Sequence, residues 1–123
     1  MYCEECGSRR AVFTVTRSVP LSPVETRLLC TDCVISLLES MERGESVRVL
    51  AREESFWIQF NIQRELKRRC FFCYRVTEYA DFSSVTPMPV CLDCFRRVLE
   101  KWERRLLRRV IRLVYPRGEL NDM

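Results

Sequence analysis

The chain has no histidine, only three glycines, and no apolar run approaching the roughly 20 residues of a membrane span. Each absence excludes something. Without histidine there is no side chain of near-neutral unperturbed pKa, the usual general base. So few glycines leave no glycine-rich loop to cradle a nucleotide phosphate, and no carboxylate pair stands out from the surface charge. Catalysis is therefore not expected. Residues 1–6 show no basic region followed by an apolar run, so a secretory leader is not expected and the chain is read as cytoplasmic.

What is present is cysteine in one pattern. All eight cysteines fall into four Cys-x-x-Cys pairs, Cys3/Cys6, Cys30/Cys33, Cys70/Cys73 and Cys91/Cys94, two in each half of the chain. A Cys-x-x-Cys turn sets two sulfurs on one side of a tight knuckle, which is half of a tetrahedral metal site. Two knuckles joined by a short stretch complete it, so the expectation is two four-cysteine centres, Cys3/Cys6/Cys30/Cys33 and Cys70/Cys73/Cys91/Cys94. Two zinc ions per chain are expected. Iron also accepts four thiolates, and a disulfide framework shares the even count but suits a secreted chain. Redox Cys-x-x-Cys sites occur singly beside a βαβ pattern.

The sequence reads as an imperfect duplication. In residues 1–44, Cys3–Cys6 and Gly7 form a knuckle, residues 11–17 alternate as a strand, 18–23 turn, and 24–29 return to deliver Cys30. From Cys33 the period changes, with Val34, Leu37, Leu38 and Met41 at helical spacing up to Gly44. Residues 70–123 repeat the order: a knuckle at Cys70–Cys73, a strand over 74–82, a turn over 83–89, and a helix over 95–115 stopped by Pro116 and Gly118. A knuckle, a β-hairpin and a ligand pair opening a helix make a treble clef. The fold expected is thus α+β, with tandem treble-clef units resembling zinc ribbons and a long basic amphipathic helix at the end. Each half is too small to fold unaided, so metal is expected to be structural.

Cys3-Glu4-Glu5-Cys6, residues 10–16, Glu25-Thr26 and residues 29–33 resemble the first zinc unit of McsA-type proteins. Asp81-Phe82 and Cys91-Leu92-Asp93-Cys94-Phe95 resemble their second unit. The resemblance implies a regulator that activates a protein-arginine kinase and acts with Clp-type protease machinery, and it carries over the eight ligands only. Pro87 and Pro89 replace a glycine-containing turn, and the family's UVR coiled segment is not evident.

Residues 45–69 link the units. Val47, Val49 and Ala51, then Phe56, Ile58, Phe60 and Ile62, alternate as a hairpin would, and a helix over residues 56–69 is the alternative because residues 63–69 favour helix. Trp57 is expected to pack against a neighbouring element rather than stand as an exposed contact. Glu4, Glu5, Asp32 and Asp93, lying between ligands, are expected to face solvent or cap helix N–H groups.

In the last helix Phe95, Leu99, Trp102, Leu106, Val110 and Leu113 make one apolar stripe. Opposite lie Arg96, Arg97, Lys101, Arg104, Arg105, Arg108, Arg109 and Arg112. Residues 94–117 carry nine basic and two acidic side chains, a local +7 in a chain of net +4. Three readings compete: arginines paired with acids elsewhere, arginines tracking a nucleic-acid backbone as in ribosome- or transcription-associated proteins, and docking on an acidic protein or self-pairing through the apolar stripe. The function expected is that of a non-catalytic adaptor or regulator binding a protein partner, with nucleic-acid binding as the alternative.

Overall fold

The computed structural model describes residues 2–19, 24–53 and 56–114, with the side chains of 53, 56 and 109–114 outside that description. The order is β1 (Phe13–Ser18), β2 (Glu25–Leu29), α1 (Thr31–Glu39), β3 (Ser46–Glu53), β4 (Phe56–Arg69), β5 (Val76–Asp81), β6 (Met88–Pro89) and α2 (Leu92–Val114). All six strands join one antiparallel sheet in the order β2-β1-β3-β4-β5-β6. Read from either edge, the sheet runs hairpin, central strand, central strand, hairpin. The duplication seen in the sequence is thus a near two-fold arrangement about the β3–β4 pair.

That central pair comes from residues 45–69. Val47 lies opposite Ile62, Val49 opposite Phe60 and Ala51 opposite Ile58, so period-two alternation gives the sheet one apolar face. The tip between β3 and β4 lies outside the described residues, as do most of the first expected turn and the expected stops at Pro116 and Gly118. β4 runs on to Arg69 as a strand, and the helical alternative over residues 56–69 does not form. Its pairing with β5, through a register shift between Arg64 and Arg68, holds the second half of the strand extended against its own propensity.

Both helices cover the same apolar face. Val34, Ile35 and Leu38 from α1 and Phe95, Leu99 and Leu106 from α2 share one core with Phe13, Val15, Val47, Val49 and Ile62. The Phe95 ring meets Phe60 edge to face at 5.2 Å. Each fully buried Leu, Ile, Met or Phe here contributes about 1.5–3 kcal/mol by leaving water. α1 ends at Glu39, sooner than the periodicity suggested, and Ser40 Oγ donates to Leu37 O at 2.8 Å. Met41 nonetheless stays buried, and its carbonyl accepts Arg64 Nη1 at 2.7 Å. α2 begins three residues earlier than expected, at Leu92.

Trp57 corrects an expectation. It is 63% exposed, because odd positions of β4 near Ile58 face away from the helices. Its ring lies under the Arg52 guanidinium at 5.6 Å, across the strand pair in which Arg52 and Trp57 are directly opposed.

Candidate metal centres

The eight cysteines are free thiols gathered into two groups, Cys3/Cys6/Cys30/Cys33 and Cys70/Cys73/Cys91/Cys94. Within each group the sulfurs all lie within 4.8 Å of one another. Cys6 and Cys30 sulfurs are 3.9 Å apart, and Cys73 and Cys91 sulfurs 3.5 Å. Four sulfurs on a tetrahedron at the usual metal–sulfur distance are separated by roughly 3.8 Å. The donor set therefore fits one ion per group and leaves no space for an iron–sulfur cluster. With four protein ligands, such a centre is closed to water and substrate.

The two groups are held by corresponding backbone bonds, with the first knuckle's loop one residue longer. In the first knuckle Cys3 N–H donates to Arg9 O at 2.8 Å and Gly7 N–H to Cys3 O at 2.9 Å. In the second, Cys70 N–H donates to Arg75 O at 2.8 Å and Tyr74 N–H to Cys70 O at 3.0 Å. Gly7 and Tyr74 both sit at φ 66°, the left-handed turn that closes the knuckle. Each knuckle is tied to the strand bringing the other ligand pair, Glu4 N–H to Leu28 O at 2.9 Å and Phe71 N–H to Pro89 O at 2.9 Å. Helix N-termini supply the rest: Val34 N–H returns to Cys30 O and Phe95 N–H to Cys91 O, both at 3.0 Å.

Backbone N–H groups also point at sulfur. Cys70 Sγ accepts from Phe72 N–H and Cys91 N–H, each at 3.4 Å, and Cys91 Sγ accepts from Cys94 N–H at 3.4 Å. Burial works against the Cys70 thiolate, yet the N–H groups of Cys91, Cys73 and Phe72 bring its pKa down to about 6. The Ser8 hydroxyl, with the Ser8 and Arg9 N–H groups, brings Cys6 to about 6 as well. Burial pushes Cys30, Cys33 and Cys91 upward and, with neighbouring thiols, Cys94 to about 12. Some thiols are thus poised to ionise while their neighbours hold protons, which an incoming cation would displace.

The acids between ligands face solvent as expected, Glu4, Glu5 and Asp93 being exposed and Asp32 about half so, and all four also take partners. Glu4 Oε2 accepts the Leu28 N–H at 2.6 Å, and Glu5 pairs with Arg27 at 2.6 Å. Asp93 pairs with Arg75 at 3.0 Å, and Asp32 with both Arg9 and Arg96. The N-terminus of α1 has no side-chain cap. Reasoning from sequence also missed Glu45, a buried carboxylate that accepts Arg17 Nε at 3.0 Å and Nη2 at 3.1 Å. No periodicity signals such a pair, since its members lie 28 positions apart.

The basic residues of α2 divide into three sets. Arg96 is drawn to Asp32 at 2.5 Å. Arg105 lies over the Trp102 ring at 5.0 Å. Arg97, Lys101, Arg104 and Arg108 are exposed, and none of the four has an ion-pair or hydrogen-bond partner among the described residues. The side chains of Arg109 and Arg112 lie outside the description. On the opposite side, Phe95, Leu99 and Leu106 are buried in the core.

Set against protein-family models, curated proteins and solved structures, the chain matches none of them.

Proposed function

We propose that this is a non-catalytic protein with two structural zinc ions, which binds nucleic-acid phosphates along an exposed basic ridge of α2. Zinc is the metal best suited to four converging thiolates around one ion, and knuckle, hairpin and helix-start ligands together describe a treble clef in each half. The observation carrying the binding reading is that Arg97, Lys101, Arg104 and Arg108 are exposed on one ridge and have no ion-pair or hydrogen-bond partner among the described residues. Elsewhere Arg9, Arg17, Arg27, Arg43, Arg64 and Arg75 each meet a carboxylate. The ridge spacing of four, three and four residues aligns its cations over about 16 Å. A row of exposed cations suits a linear polyanion.

The adaptor reading, in which the chain regulates a kinase or protease component as McsA-type proteins do, retains the ligand spacing in its favour. Its expected docking stripe is in the core as far as Leu106, so a protein partner would not dock on Phe95, Leu99 or Leu106, while Val110 and Leu113 lie outside the described side chains.

Purification at low salt followed by nuclease treatment tests the proposal, together with polarisation titration of a labelled oligonucleotide. Four phosphate contacts predict a slope of roughly −3 in log affinity against log salt. Changing Arg97, Lys101, Arg104 and Arg108 to Gln should abolish binding without lowering the melting temperature. Unchanged affinity in that variant would overturn the reading, and a co-purifying protein unaffected by nuclease would favour the adaptor.

A further inference from the structure

The second knuckle carries side chains that its architecture does not need. Phe71, Phe72 and Tyr74 are 65%, 53% and 72% exposed. The first knuckle has corresponding hydrogen bonds and the same φ at its closing residue, yet carries Glu4, Glu5 and Gly7 at the matching positions. Glycine holds a left-handed turn without strain, whereas tyrosine pays a steric cost there. An exposed, apolar residue held in a strained conformation, where the twin site uses glycine, points to a role outside folding.

The aromatics are held firmly. Phe71 and Phe72 rings meet edge to face at 5.4 Å. Their backbone is pinned by Phe71 N–H to Pro89 O at 2.9 Å and Phe72 N–H to Cys70 Sγ at 3.4 Å. Arg69 Nη1 donates to Tyr74 O at 3.1 Å and closes the turn. Cations flank the tip: Lys67 and Arg68 are exposed on the end of β4 that leads into it. The tip also lies at the head of the α2 ridge. Cys94, which shares a sulfur group with Cys70 and Cys73, precedes Arg97 by three residues and Lys101 by seven, and so stands on the same helix ridge.

We propose that Phe71, Phe72 and Tyr74 form a stacking platform for unpaired bases, making single-stranded nucleic acid the preferred ligand of the basic ridge. This inference rests on the phosphate-binding reading and deepens it. Aromatic faces stack on any base, while the row of cations holds the backbone, which is the usual division of labour in single-strand binding. The bases of a duplex are already stacked on one another and gain little from such a platform. A lipid surface would also attract aromatics among cations, but here the cations continue away from the tip in a line, as a strand requires.

The test compares the zinc-loaded full chain with Phe71→Ala/Phe72→Ala and with Tyr74→Ala, using labelled oligo(dT), oligo(rU) and a DNA duplex of equal length. Melting temperature and metal content establish that each variant is folded. The wild type should prefer single strands, and the double variant should lose roughly tenfold or more of single-strand affinity while duplex affinity is unchanged. Equal single-strand affinity in wild type and double variant overturns the platform but leaves the ridge standing. Absence of any wild-type binding overturns both. Loss by the aromatic variants of binding to phosphatidylserine vesicles, with oligonucleotide affinity intact, also overturns the platform and makes the tip a membrane contact.

Discussion

Asp32 accepts a 2.5 Å hydrogen bond from Arg96 Nη1, and this contact joins the two metal groups. Asp32 lies between the ligands Cys30 and Cys33, and Arg96 follows Cys94 by two residues. Beside it the buried Thr31 hydroxyl donates to Glu103 of α2. The start of α1 is thereby fastened to the second half of the chain. Because both helices also cover one core, the halves should unfold together. Calorimetry of the metal-loaded protein is expected to show one transition. Two separated transitions would mean that each four-cysteine unit folds independently.

The ion pairs should rank by burial rather than by length. Asp32 is about half exposed, so Asp32→Ala should cost under about 1 kcal/mol even with two arginine partners. Glu45 is 6% exposed and its Arg17 partner 31%. Glu45→Ala leaves a half-buried guanidinium without its carboxylate, and about 2 kcal/mol should be lost, less than for a fully buried pair because water still reaches Arg17. Denaturant midpoints of the two variants, compared at equal slope, check the order. Equal losses would show that burial is not what decides.

The twin knuckles allow a backbone experiment with an internal control. A methyl group added at Gly7 meets no heavy atom within 4 Å, so Gly7→Ala would be penalised by its φ of 66° alone. About 1 kcal/mol should be lost. Tyr74→Gly at the same φ should gain roughly 0.5–1 kcal/mol, since it relieves that strain at an exposed site. A destabilised Tyr74→Gly would show that the ring holds the knuckle together, and would weaken the case for an external role.

Much of this arrangement was legible from sequence where the signal is local. Ligands three residues apart, and strands alternating as Val47, Val49 and Ala51 do, announce themselves within a few positions. Local signals failed where distant partners decide. Residues 63–69 have helical propensity and no alternation, yet β5 holds them as strand. Trp57 has the sequence of a packing residue but lies on the outward face of a sheet whose other face both helices occupy. Thr31 and Glu103 are 72 positions apart, and nothing near either residue marks the other. On α2 the sequence shows a ring of arginines without distinguishing Arg96, held by Asp32, from Arg97, which is exposed. Only the fold separates arginines occupied inside the molecule from those facing outward.

Metal retention should depend on pH in one direction. Cys6 and Cys70 have pKa values lowered to about 6, below the ordinary thiol value near 8.5. A folded-state pKa depressed in this way favours the folded chain at high pH, and the benefit is lost as pH falls through the folded value. Bound metal competes with those same protons and pushes their uptake lower still. Acid titration with a chromogenic chelator should therefore show both ions held at pH 7 and released below about pH 6, with loss of the native circular dichroism spectrum. Chelation at pH 7 should unfold the chain as well, because the ends of both outer hairpins converge on the sulfurs. Cys6→Ser should leave one tightly held ion, since the second group contains all of its own ligands. Loss of both ions from that single change would mean that the second half cannot stay folded once the first centre is lost. A metal-free sample with an unchanged spectrum would show that the ions are not structural.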